Sequence, residues 1–316
     1  MDHRLALDGR AVGLMTLLCV VWSLQQISLK AAAPDVGPML MVALRSGLAA
    51  LMVLALMRLR GAGEPLRPTP GGWRAGLGVG ALFALEYLLV AQALLLTHAA
   101  HVVVFLYTAP IFAALGLHLK LPAERLHWSQ WLGIGIAFVG IAVAFLGRSG
   151  APAAGAAPGA SQGVSLWGDA LALAGGASWG ATTVLLRCSA LARAPATESL
   201  LYQLLCACVL LLPASLLFGQ GHFSASPAAW AHLAFQSVVV SFASFLAWFW
   251  LLCHYLASRL GVFSFLTPVF GVLLGVGLLG EPLEAGFVAG SLGVLAGIVL
   301  VSGSGWLRRR ADPRRT

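Results

Sequence analysis

The chain contains the same unit twice. Residues 20–30 (VVWSLQQISLK) return half a chain later as 177–187 (ASWGATTVLLR), placing Trp22 on Trp179 and Lys30 on Arg187 at an offset of 157. Phe105 and Pro110 fall on Phe263 and Pro268 at an offset of 158. Glu124, Gly133, Gly140 and Ile141 then fall on Glu281, Gly290, Gly297 and Ile298 at 157 again. Each copy is a string of apolar segments of membrane length, about 20 residues rising about 1.5 Å each across about 30 Å of hydrocarbon. Ten can be cut, near 11–31, 38–57, 75–96, 99–119, 128–147, 166–186, 198–218, 229–251, 260–279 and 284–304. Only 9% of residues are charged and 59% are hydrophobic, against roughly 25% charged in soluble domains. Lipid offers backbone groups no partner and the alternation of barrel strands is absent, so the spans are helices.

Residues 148–165 (RSGAPAAGAAPGASQGVS) read as a flexible linker. This divides the chain into a first five-helix repeat (1–147), the linker (148–165), a second five-helix repeat (166–304) and a basic tail (305–316). Five is odd, so the second copy is upside down relative to the first. The predicted fold is an all-α integral membrane protein, ten transmembrane helices forming two inverted repeats around a central cavity, as transporters are built. The net charge of +8 is not a nucleic-acid signature. With the N-terminus inside, Arg4, Arg10, Arg58, Arg60, Arg67, Arg74, Lys120, Arg125, Arg187, Arg193, Arg259 and the tail arginines all lie inside. Arg148 and Lys30 lie outside. This positive-inside pattern puts both termini in the cytoplasm. The stretch Val12–Leu29 matches a segment deep in the second copy and is kept as span one rather than read as a signal peptide.

No phosphate-binding loop, nucleophile elbow, His-Glu-x-x-His helix or paired Cys-x-x-Cys is present, so no enzyme, cofactor or metal site is expected. The five cysteines sit in or at the ends of spans as small apolar packing residues. Glycines four apart (76/80, 271/275, 286/290, 293/297) mark close helix approaches. Pro110 and Pro268, near the middle of the fourth span of each copy, are expected to kink or open their helices and to serve as gates.

The polar and aromatic residues inside spans are the candidate substrate contacts. Trp22, Gln25, Gln26 and Leu29 share a helical face in span one, as Trp179, Thr182, Thr183 and Leu186 do in span six. Such faces either converge on a cavity or bond neighbouring helices. Arg45 and Glu86 are the formal charges most clearly within spans, and the second copy has Tyr202 and Ser244 in their places. Two readings stand: a structural ion pair, or direct roles in which Arg45 holds a substrate carboxylate and Glu86 carries a coupling proton. Tyr87, Tyr107, Tyr202, Gln203 and Trp248 complete the set. Ser237, Ser241, Ser244 and Trp248 form a hydroxyl stripe ending in an indole on one face of span eight.

This pattern resembles the drug/metabolite transporter superfamily in its ten-span EamA form. The resemblance is carried by Trp22/Lys30, Trp179/Arg187, Arg45, and prolines 110 and 268 with the following Glu124 and Glu281 and glycine-rich fifth spans. It covers about residues 11–304, and the chain is similar to bacterial aromatic amino-acid exporters of the YddG type. The resemblance implies export of aromatic and other neutral amino acids by alternating access across a bacterial inner membrane, with Trp22 and Trp179 lining the cavity. The expected partners are a small-molecule substrate and the lipid bilayer, and a monomer is favoured. Alternatives are a proton-coupled efflux pump for drugs or organic cations, a nucleotide-sugar or phosphate-ester carrier, and a non-transporting membrane enzyme or scaffold.

Overall fold

The computed structural model describes residues 9–59, 69–122, 125–146, 165–255, 264 and 266–311. The linker up to residue 164, Glu124, Arg67, Arg259, Phe263 and the last tail arginines lie outside them. Among the described residues the secondary structure is helical apart from one isolated bridge, Val36 to Phe223.

The helices run α1 (Gly9–Ala32), α2 (Pro38–Leu59), α3 (Trp73–Leu96), α4 (Ala99–Leu106), α5 (Ala109–Lys120), α6 (Trp128–Leu146), α7 (Leu166–Arg187), α8 (Ala196–Leu217), α9 (Pro227–Ala234), α10 (Phe245–His254), α11 (Leu266–Leu279) and α12 (Ala285–Ala311). Counted through short interruptions, six helical stretches among the described residues are long and apolar enough to cross a membrane: Gly9–Ala32, Pro38–Leu59, Trp73–Leu96, Ala99–Lys120, Ala196–Leu217 and Pro227–Trp248. Shorter apolar helices cover Trp128–Ala144, Leu266–Leu279 and Ala285–Leu300. The chain is an integral membrane protein.

Local chemistry sets the boundaries. Pro38 and Pro227 open helices where a missing N–H costs nothing, and the Ser226 hydroxyl accepts from Ala229 N at 3.0 Å. Gly280, at φ 64°, takes the left-handed position that ends α11. Pro110 has no N–H to give the Leu106 carbonyl one turn back, and the fourth span breaks there: α4 ends at Leu106, Tyr107 and Thr108 form a turn, and α5 restarts at Ala109. In the second copy α11 starts at Leu266, two residues before Pro268.

Residues equivalent in the repeat meet crosswise. Gly133 of α6 lies against Gly297 of α12, and Gly140 against Gly290. Gly133 is the equivalent of Gly290 and Gly140 of Gly297, so the two fifth helices cross antiparallel, each presenting the same surface. The first helix of each copy packs on the fourth of the other. Ser23 donates to the Thr267 carbonyl at 2.7 Å, and its equivalent Gly180 sits against the Ala109 carbonyl, where Ala109 is the equivalent of Thr267.

The tight Thr97-His98 turn joins α3 to α4, but the two do not pack as a hairpin, because α7 from the other copy wedges between α3 and α4–α5. Gly168, Gly175, Gly176 and Gly180 of α7 allow this, lying against Leu96, Val90, Phe105 and Phe112 in turn. In span eight, residues Phe235–Ser244 form a π-helix between α9 and α10. Its wider turns bury Gln236, Ser237, Val240, Ser241 and Ser244 together and leave Trp248 half-buried, so Gln236 and Val240 join the three serines of the stripe on one buried face.

Candidate functional site

Four helical segments bring polar groups together in the middle of the bundle. Arg45 of α2 donates from Nη1 to Gln236 Oε1 of the π segment at 2.5 Å, and its guanidinium lies 4.5 Å over the Tyr87 ring of α3. The Tyr87 hydroxyl accepts from Gln25 Nε2 of α1 at 2.9 Å, and Gln236 Nε2 donates to the Gln25 carbonyl at 2.8 Å. All four residues are buried. Long amide and guanidinium side chains carry both donors and acceptors to the neighbouring helices, so a few of them link four segments. Glu86, next to Tyr87, is 4% exposed, and among the described residues its Oε2 has no donor. Arg45 Nε likewise has no acceptor. The two charges do not form a direct ion pair, because Arg45 is turned to Gln236 and Tyr87 instead.

Beside this network, Trp22 Nε1 donates to Ser244 Oγ at 3.0 Å, and the Trp22 and Trp248 rings meet edge to face at 5.6 Å. Trp248 then lines a cavity of about 310 Å³ with Leu186, Leu191, Ser199, Gln203 and Phe245. The cavity lies at the end of the bundle where Glu198 accepts from Thr69 N and Oγ1. Trp179 turns inward too, against Tyr107 at 5.3 Å in the broken fourth span.

Other candidates are placed differently. The Thr182 and Thr183 hydroxyls bond back to the Ser178 and Trp179 carbonyls of their own helix, at 3.0 and 3.2 Å. Tyr202 packs its ring on Gly76 at the α3–α8 contact. Gln26 is buried with Oε1 lacking a donor. Of the two prolines, Pro110 adjoins the Tyr107–Trp179 contact, and Pro268 is buried in the first turn of α11 beside Thr267, the carbonyl partner of Ser23.

The opposite end of the bundle is shut by charged residues that the sequence reading used only as repeat markers. Lys30 donates to the Thr97 carbonyl at 2.5 Å and lies 3.2 Å from Glu281 Oε1. Glu281 also accepts from the Ala99 and Ala100 amides at 2.7 and 3.0 Å, capping α4 from the other half of the chain, with His98 Nδ1 3.6 Å away. Burial works against the charged carboxylate there. His98, the two amides and Lys30 outweigh it and hold Glu281 down at about 2. A depressed carboxyl contributes above its ordinary value and fails only as pH falls through the lowered one. The contact is therefore expected to stay intact from pH 8 to pH 5. A cysteine at Leu29, fully buried and next to Lys30 in α1, should be equally unreactive to thiol reagents across that range. Beneath it, Asp169 accepts from Thr97 Oγ1 at 2.5 Å and meets His101 Nδ1 at 3.1 Å, while His101 stacks on Phe287 at 3.7 Å.

Sequence reasoning missed Gln236, His101 and Asp169 as members of these clusters. A lone glutamine in an apolar span was the available signal for the first. No group of three His, Cys, Asp or Glu able to hold a metal occurs among the described residues.

Comparison with known proteins bears on what such a bundle is. One solved crystal structure is similar at a TM-score of 0.63 and 22% identity, covering 96% of this chain and 99% of that one, which shows a shared fold. No curated protein matches. The model of the EamA-like transporter family matches twice, over residues 9–146 and 166–303, at the spacing of the internal repeat. The chain belongs to the EamA-like transporter family.

Proposed function

We propose that the chain is a ten-span secondary transporter of two inverted five-helix repeats that exports neutral amino acids, aromatic ones among them, by alternating access. The distribution of arginine and lysine supports an orientation with the Glu198 end and both termini in the cytoplasm and the Glu281 end outside a bacterial inner membrane. The observation that carries the substrate class is the cavity at the cytoplasmic end, small, walled by Phe245 and Trp248, and given a neutral amide by Gln203. At about 310 Å³ it has room for one amino acid. A phosphate ester also wants several cations, and among the described residues Arg45 is the only buried arginine or lysine. The substrate enters from the cytoplasm, meets Trp248 and Gln203, and moves toward Trp22, Trp179 and Tyr107 as the halves rock.

Counterflow of labelled phenylalanine into purified proteoliposomes tests this. The expected result is exchange that is lost in Trp22→Ala and Trp179→Ala; no flux of any amino acid would overturn it. A proton-coupled pump for organic cations would show cation flux and no amino-acid flux. Pro110→Ala is expected to heal the break at Tyr107–Thr108. It should slow exchange roughly tenfold, about 1.4 kcal/mol on the barrier, with binding unchanged. Comparing binding affinity with counterflow rate separates these two effects.

A further inference from the structure

Arg45 and Glu86 are buried groups of opposite charge. Each is nearly fully buried, each has one polar atom without a partner among the described residues (Nε of Arg45, Oε2 of Glu86), and they do not satisfy each other. Arg45 feels Glu86 through space, yet its Nη1 is spent on Gln236 and its face on Tyr87, so it is fixed in orientation with Nε left over. Tyr87 is in turn held by Gln25. On the other side, the Glu86 carbonyl lies against Gly175, and Ser178 donates to the Leu82 carbonyl at 2.8 Å, so this stretch of α3 is clamped to α7. The position is also meaningful in the repeat: Glu86 is the equivalent of Ser244, the residue that accepts from Trp22.

Groups that are opposite in charge, near one another, rigidly held and incompletely partnered match a ligand carrying both charges at short separation. We propose that Arg45 and Glu86 form a slot for the zwitterionic head of an α-amino acid, the carboxylate going to Arg45 Nε and the ammonium to Glu86 Oε2. This rests on the amino-acid reading above and sharpens it: the head group is recognised as a dipole, and the side chain is left to the aromatic residues. Both atoms are shut off from solvent in this conformation. The slot therefore fills when the π segment, which carries Gln236 and Ser244, shifts against α1 and α2. Recognition by buried polar groups is selective because a ligand lacking one group leaves its partner unpaired.

Three ligands separate the contributions: phenylalanine, phenethylamine without the carboxylate, and phenylpropionate without the ammonium. Binding to the purified protein is read from quenching of tryptophan fluorescence. The wild type is expected to bind phenylalanine about 100-fold more tightly than either half-molecule. Arg45→Gln should abolish the preference for phenylalanine over phenethylamine alone, and Glu86→Gln that over phenylpropionate alone. Arg45→Lys and Glu86→Asp, which keep the charges, should retain part of each preference.

The slot is overturned if the wild type binds a half-molecule as well as phenylalanine. It is equally overturned if the substitutions weaken all three ligands alike, the mark of a structural role. Phenylalanine counterflow with unchanged ratios would sink the slot and leave the transport reading standing. If another amino acid binds with this dependence in place of phenylalanine, the slot stands and the aromatic preference falls. If no amino acid binds, both fall.

Discussion

Gly290→Leu is expected to leave little folded protein. A carbon added at Gly290 would lie 2.5 Å from both the Ala144 amide and the Gly140 carbonyl, a backbone on which neither helix can yield without separating. Helices in lipid associate through close backbone approach, because no hydrophobic force distinguishes a neighbouring helix from an acyl chain. Overpacking at such a contact costs about 3 kcal/mol, and here it strikes the crossing of α6 and α12 that ties the two copies together. Gly140→Leu should behave alike, since Val294 N and the Gly290 carbonyl would lie 2.6 and 2.7 Å away. Gly135→Leu is the control: it lies on the same helix with nothing within 4 Å and should be neutral. Monodispersity and melting temperature in detergent measure all three.

Glu281→Ala is expected to open the outer end. Its carboxylate joins Lys30 of α1, the first two amides of α4 and the loop before α12, and it is 5% exposed. Removing it strands the Lys30 charge and two helix-end donors, which costs the closed state about 2–3 kcal/mol. That shifts the equilibrium roughly 30- to 150-fold toward an outward-open form. Lys30→Met should shift it the same way by less, because the amides keep the carboxylate. In protein whose native cysteines have been replaced, a cysteine at Leu29 reports the change. It should be silent with Lys30 and Glu281 present and reactive from the outside with Glu281→Ala. Silence in both would remove the contact from any gating role.

The doubling in the sequence told where to look but not what each residue does there. Trp22 and Trp179 were legible because indoles recur at one register and both turn inward. Gln25 and Gln26 fall on Thr182 and Thr183 in the same register, yet only Gln25 crosses to a neighbour. An amide on a longer stem reaches the next helix, whereas a hydroxyl finds its own carbonyl four residues back. Tyr202 stands where Arg45 does, and glycine at position 76 diverts it into a helix contact. Gln236 has no counterpart in the first copy, so nothing in the register flagged the residue that joins α1 to α2. Lys30 and Glu281 were both visible as doubled motifs. Their meeting was not, since it depends on how one inverted copy lies across the other.

The central claim is one pathway through the middle of the two copies, sealed at Glu281 and open beside Trp248 in this conformation. Side-specific thiol labelling tests it most directly, using Gln203→Cys and Leu29→Cys in membrane vesicles of known orientation. A cysteine at position 203 should react with an impermeant maleimide only from the cytoplasmic face and be protected by phenylalanine, while one at position 29 stays unreactive. Reaction of position 203 from the outer face, or labelling there that no transported compound slows, would contradict it.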